Sequence, residues 1–190
     1  NAISLGVDAI GFIFAENSPR TISLEKAEDI SIFLPPFVSR VGVFVNQPLD
    51  YVHDISDRCN LDYVQLHGEE SPDYCIQCKK KLIKVFRVNE EKDLDSIEKY
   101  QGIVSALLLD TKVKDVYGGS GQVFDWGLAI SAKEYHLPLI LSGGITASNI
   151  HKAIQLVNPY AIDISSGVES SPGEKDYHKM ESVINIVHGV

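Results

Sequence analysis

The feature that most constrains this chain is a regular alternation, from end to end, of short β-branched or apolar runs with longer amphipathic stretches. The runs fall at 9–14, 40–45, 62–66, 83–87, 103–109, 137–141 and 160–164. Several are apolar at successive positions, as in Leu107-Leu108-Leu109. A strand buried on both faces reads this way, which is the habit of a parallel sheet covered by helices. Between the runs, apolar residues recur at helical spacing: Ala27, Ile30, Phe33 and Leu34; Leu49, Val52, Ile55 and Cys59; Ile150, Ala153, Ile154 and Val157. Leu94 and Ile97 mark a further helix, and Ser71-Pro72 opens another with an N-cap followed by Pro at the first helical position. The opening Ala2-Ile3-Ser4-Leu5-Gly6 reads as a helix end closed by glycine.

Strand-then-helix alternation dictates right-handed βαβ units. An open doubly wound sheet satisfies the same pattern, but a ring leaves fewer exposed edges. The expected architecture is therefore α/β: a single (β/α)8 TIM-barrel domain over residues 1–190, with the first β-strand absent from the sequence. A net charge of −9 argues against nucleic-acid or anionic-membrane partners. No apolar run reaches the ~18 residues that span a bilayer. Three cysteines, Cys59, Cys75 and Cys78, fit a reducing, cytoplasmic setting better than a disulfide framework. Cys75-x-x-Cys78 has no second Cys/His pair with metal spacing, so no zinc site is expected.

An acidic chain that binds an anionic ligand needs a locally positive site. Leu141-Ser142-Gly143-Gly144-Ile145-Thr146 joins a buried strand to a helix, where paired glycines let the backbone approach a ligand. Asp163-Ile164-Ser165-Ser166-Gly167-Val168-Glu169 repeats the theme on the next strand. Either motif alone is compatible with a tight turn; two on consecutive final strands point to a phosphate site built from Gly143, Gly144, Ser165, Ser166 and Gly167. Asp110 ends the most hydrophobic strand, ahead of Tyr117-Gly118-Gly119-Ser120-Gly121. A carboxyl at a dry barrel mouth suits a general acid, and a loop-capping aspartate is the plainer alternative. The glycine-rich run lacks the Gly-Lys-Ser/Thr of a Walker loop and is expected to pack over the mouth. Ser18-Pro19-Arg20 offers a planar fork for a carboxylate or phosphate, although a lone surface Arg reads the same. Gln65-Leu66-His67-Gly68 puts an amide and an imidazole at a strand end, where His67 also reads as structural.

Taken in order, these segments, with Val41-Gly42-Val43-Phe44-Val45-Asn46, Phe124-Asp125-Trp126 and Gly173-x-Lys175-Asp176, resemble the phosphoribosylanthranilate isomerase family across the whole chain. The resemblance implies a cofactor-free Amadori rearrangement of a small phosphoribosyl substrate in tryptophan biosynthesis. It implies that Asp110 is the general acid and that Arg20 grips the anthranilate carboxylate. It further implies that the two glycine motifs hold the phosphate, with Gln65, His67 and Asp163 at neighbouring strand ends. The family's general base is a cysteine in a Lys-x-Cys-Gly-like segment, and no such segment occurs here. With Asn at position 1 and a helix tail before the first strand, the expectation is that a strand ending in Cys-Gly lies upstream. A non-catalytic sugar-phosphate-binding barrel is the alternative reading. Oligomeric state is not legible.

Overall fold

The computed structural model describes residues 1–111 and 125–189 of the chain. Among the described residues, seven strands form one parallel sheet in strict chain order: β1 Ala9–Ile13, β2 Ser39–Phe44, β3 Tyr63–Leu66, β4 Lys81–Val88, β5 Ala106–Thr111, β6 Leu139–Leu141 and β7 Ala161–Ile162. Helices α1 Leu24–Phe33, α2 Leu49–Arg58, α3 Pro72–Gln77, α4 Trp126–Ala132, α5 Ile150–Val157 and α6 Tyr177–His188 alternate with them. This is the in-order (β/α) arrangement of a TIM barrel.

Successive strand residues face opposite sides. The register carries one inward row across the sheet, from Val43 to Gln65, Ile83 and Ala106. The interior holds Val41, Ile83, Val85, Ala106 and Leu108, with Tyr63 and Ile140 packed against them. The alternate positions, among them Phe44, Leu66, Phe86, Leu107, Leu109 and Leu141, face the helices. Both faces are therefore buried, which is why the strands read as unbroken apolar runs. Helix starts follow local chemistry. Ser23, Ser71, Asp125 and Asp176 each accept a backbone N–H within the first turn of the helix they precede.

Three details depart from the sequence reading. The Leu94/Ile97 segment is a 3₁₀ helix, Glu91–Tyr100, opened by reciprocal Glu90 and Asp93 side-chain bonds. Leu94, Ile97 and Tyr100 are three residues apart, so a three-residue period keeps all of them on the packed side. Residues after Asp163 make a 3₁₀ turn at Ser166–Val168 and then a hairpin, β8 Glu169–Ser171 with β9 Glu174–Lys175, in place of a plain loop. Pro172-Gly173 sits at its tip, with Gly173 at φ +89°. Strands β5 and β7 are also displaced from 103–109 and 160–164, so that Asp110 lies inside its strand and Asp163 just beyond its own. The glycine-rich run 117–121 lies outside the described residues.

Strands β1 and β7 are the two edges of the sheet. Around the outside they are brought together by the first turn, Ile3–Leu5, where Ala2 and Leu5 pack on the cluster containing Met180 and Val183 of α6. Among the described residues, no helix is long and apolar enough to cross a membrane.

Candidate active site

The inward rows converge at the C-terminal ends of the strands, where barrels of this kind keep their chemistry. Arg87 lies in register with Asp110. Leu108 pairs with Ile140, and Ile140 with Ala161; two residues further along, Asp110, Ser142 and Asp163 are neighbours. Asp110 is 3% exposed. Its Oδ1 accepts the Thr111 N–H at 2.7 Å, and its Oδ2 lies 3.3 Å from His67 Nε2. On the other side of the imidazole, Gln65 Nε2 is 3.5 Å from His67 Nδ1. An amide nitrogen can only donate, so this contact favours the tautomer with its proton on Nε2, facing Asp110.

Asp163 completes the acidic pair. Its Oδ2 accepts the Ser142 hydroxyl at 3.1 Å, and its N–H bonds Leu141 O at 3.0 Å. Desolvation raises the Asp163 carboxyl above the ordinary range, and the charge of Asp110 adds to the rise; Ser142, His67 and Lys175 oppose it.

The two glycine motifs meet beside this pair. Gly143 and Gly144 have φ of +82° and +68°, a region that L side chains avoid. A Cβ on Gly143 would also stand 2.5 Å from Thr111 Oγ1 and 2.9 Å from Asp110 Oδ1, so glycine alone lets this loop close on the carboxyl. A Cβ on Gly167 would lie 1.9 Å from Ile145 O, which ties the second loop to the first. Asn149 fastens the first loop by donating to Gly144 O and accepting from the Thr146 N–H, both at 2.9 Å. Lys175 Nζ donates to Ser165 O at 2.9 Å. The Ser165, Ser166 and Gly167 segment is thus held between Ile145 and a cationic side chain.

Arg20 follows β1, but its fork is not open to solvent as the sequence suggests. Nε reaches both Glu169 oxygens at 2.9 and 3.0 Å, and Nη2 reaches Oε2 at 2.8 Å. Burial by itself would raise the Glu169 carboxyl. Hydrogen bonds from Arg20 and Lys175 overcome this and bring it from 4.5 to about 2. A depressed folded-state value stabilises the native protein above pH 4.5, and the contribution is lost as pH falls toward 2. The shift corresponds to about 3 kcal/mol for this buried carboxylate. Urea unfolding at pH 6 and pH 3 should therefore show a steeper acid loss in the wild type than in Glu169→Gln. Equal losses in both would mean that the pair carries no net stabilisation.

A profile of the N-(5'phosphoribosyl)anthranilate (PRA) isomerase family matches residues 1–186. A Geobacter metallireducens protein named N-(5'-phosphoribosyl)anthranilate isomerase is 48% identical over 183 residues, covering 96% of this chain and 89% of the relative. The chain belongs to the PRA isomerase family. Its fold superposes on the crystal structure of phosphoribosyl anthranilate isomerase from Thermotoga maritima with a TM-score of 0.92 and 39% identity, covering 100% of this chain and 92% of that one. A second PRA isomerase structure, holding reduced 1-(o-carboxyphenylamino)-1-deoxyribulose 5-phosphate, matches with a TM-score of 0.89 and 38% identity, covering 100% of this chain and 91% of the other.

Within this PRA isomerase chain, none of the three cysteines approaches Asp110's rim. Cys59 closes α2, Cys75 lies in α3 and Cys78 follows it, and all three thiols are raised by burial, Cys75 to about 11. A buried thiol of that kind is no base near neutral pH. Sequence reasoning missed several charged groups at and beneath the mouth of the PRA isomerase barrel. Arg87 ends the inward row of β4 and hydrogen-bonds Glu69. Lys84, one of the helix-facing residues of β4, is 3% exposed. Its Nζ donates to Glu70 Oε2 at 3.0 Å, Gly68 O at 2.7 Å and Leu66 O at 3.3 Å. Glu70 in turn accepts the N–H groups of Asn46 and Gly68. The loop presenting His67 is thereby clamped from beneath. The available signal was a charge inside each otherwise apolar register of Leu82-Ile83-Lys84-Val85-Phe86-Arg87-Val88.

Proposed function

We propose that this chain isomerises N-(5′-phosphoribosyl)anthranilate to 1-(2-carboxyphenylamino)-1-deoxyribulose 5-phosphate. The observation that carries the reading is a buried Asp110, set between His67 and two interlocked glycine loops, on the same rim as a placed arginine. In the proposed reaction, the phosphate lies on the backbone of Gly143, Gly144, Ser165, Ser166 and Gly167. Arg20 takes the anthranilate carboxylate. Asp110 delivers a proton to the furanose ring oxygen, and the ring opens to a Schiff base. Loss of the C2′ proton to a base gives an enolamine, which tautomerises to the ketone. Gln65, His67 and Asp163 contact the ribose and keep the mouth polar but dry.

Asp163 supports a second assignment of the acid, because desolvation raises its carboxyl. A general acid must hold its proton near the working pH, and this favours such a group.

Arg20→Ala should raise KM for the anthranilate-bearing substrate by about 10–100-fold, the worth of a lost charge-assisted bond. Inhibition by inorganic phosphate should hardly change, since the two anions bind at different groups. Arg20→Lys retains a cation for Glu169 and should show the same split less strongly. An equal loss of both ligands would make Arg20 a phosphate ligand or a purely structural residue. Tight binding of the phosphoribosyl ligand without turnover would favour a non-catalytic barrel.

A further inference from the structure

The ion-paired cluster around Glu169 has a geometry that a simple loop staple does not need. Glu169 engages Arg20 at the Nε–Nη2 edge and leaves Nη1 outside the pair. The Glu169 side chain is 4% exposed, and Lys175 Nζ, 3.0 Å away, also binds its Oε1. The same Nζ bonds Ser165 O, inside the second glycine motif. From beyond the hairpin, Lys179 Nζ holds Glu169 O at 2.7 Å. One continuous line of hydrogen bonds therefore runs from Arg20 through Glu169 and Lys175 to Ser165.

The line joins two loops that are far apart in the chain. Arg20 follows β1 and Ser165 follows β7, which stand at opposite ends of the strand order among the described residues. The hairpin reaches back to the Ser18-Pro19-Arg20 loop, its Gly173 tip lying where a Cβ would be 3.6 Å from Pro19 O. Two cations on one carboxylate also leave the cluster with a net positive charge, in a chain whose total is −9. An anionic ligand group is attracted there rather than repelled.

We infer that Glu169 is a positioning residue: it holds Arg20 by one edge and, through Lys175, fixes the span between the carboxylate grip and the phosphate loop. This rests on the reading of Arg20 as the group that binds the anthranilate carboxylate. Glu169 is not a stand-in that the substrate displaces. Displacement would break all three Arg20–Glu169 contacts and leave the buried carboxylate with Lys175 as its remaining side-chain partner. A guanidinium has donors on two edges, and Glu169 occupies only one of them. The substrate is thus selected by the distance between its two anionic ends.

The test uses two probes on the intact protein, followed by calorimetry. One is reduced 1-(o-carboxyphenylamino)-1-deoxyribulose 5-phosphate; the other is the same compound without the ring carboxyl. Glu169→Gln should weaken the first by about 10–100-fold, the effect of an ångström-scale misplacement, and the second by less than about twofold. KM should rise with kcat little altered. Glu169→Asp keeps the charge but shortens the reach, and should show the same selective loss; it also serves if the Gln variant does not fold. Unchanged or tighter binding of the carboxylated probe by both variants overturns the inference, as does an equal loss of both probes. Arg20→Ala separates the two layers. If it leaves the preference for the carboxylated probe intact, the assignment of Arg20 itself fails. If it abolishes that preference and the Glu169 variants do not, only the positioning role fails.

Discussion

Replacing Asp110 by Asn should lower kcat by roughly 10²–10⁴, the usual worth of a positioned general acid, with little change in the affinity for substrate. The substitution preserves the shape and the oxygen that accepts the Thr111 N–H. It removes the capacity to deliver a proton. The site is crowded enough for this to be a clean test: Gly143 lies directly against Oδ1 and His67 faces Oδ2, so an isosteric amide has nowhere to shift. Asp163→Asn is the necessary comparison. If Asp110 opens the ring, the Asp163 variant should lose less, because its hydrogen bond from Ser142 Oγ can pass to the amide oxygen. The reverse order of losses, with kcat near normal in Asp110→Asn, would transfer the acid role to Asp163. The desolvated carboxyl of Asp163 would then explain the assignment.

Lys84→Met should be among the most damaging single changes to stability. Lys84 and Glu70 have side chains 3% and 2% exposed, so removing the ammonium strands a carboxylate in the helix layer. Breaking a buried pair in this way typically costs about 3–5 kcal/mol, or a fall in Tm of roughly 6–20 °C for a domain of this size. The loss should extend to activity at permissive temperature. Glu70 also organises the Asn46 and Gly68 amides, and with them the backbone leading out of His67. Combining Lys84→Met with Glu70→Leu should recover much of the lost stability, since the stranded charge is then gone. Differential scanning calorimetry decides between these outcomes. A Lys84→Met protein that melts within about 2 °C of wild type would show that water or a rearranged loop solvates Glu70, against the packing described here.

Much of the architecture was legible because it depends on short-range chemistry. A strand covered on both faces must be apolar at successive positions, and 9–14, 40–45 and 62–66 could be read directly as β1, β2 and β3. Ser71-Pro72, Asp125 and the closing Gly6 act within one turn of the residues they cap, and each could be placed from its neighbours alone. The paired glycines at 143 and 144 carry their meaning in their backbone angles. What the sequence could not show is which distant groups meet at the mouth. Arg20 and Glu169 are 149 residues apart, and nothing in Ser18-Pro19-Arg20 hints that its fork is already held. The contact between Gly167 and Ile145 O, the proximity of Asp163 to Asp110, and the Lys84–Glu70 clamp have the same character. Even the 3₁₀ form of Glu91–Tyr100 follows from the surface it covers, since its apolar residues fit one helical period about as well as another. Local patterning therefore determined the order of the strands and the caps, while the bounds of β5 and β7 and the hairpin after Asp163 did not follow from it. The electrostatics of the site awaited the tertiary structure, because a charge in a dry barrel mouth takes its properties from whichever strand ends the closing sheet brings beside it.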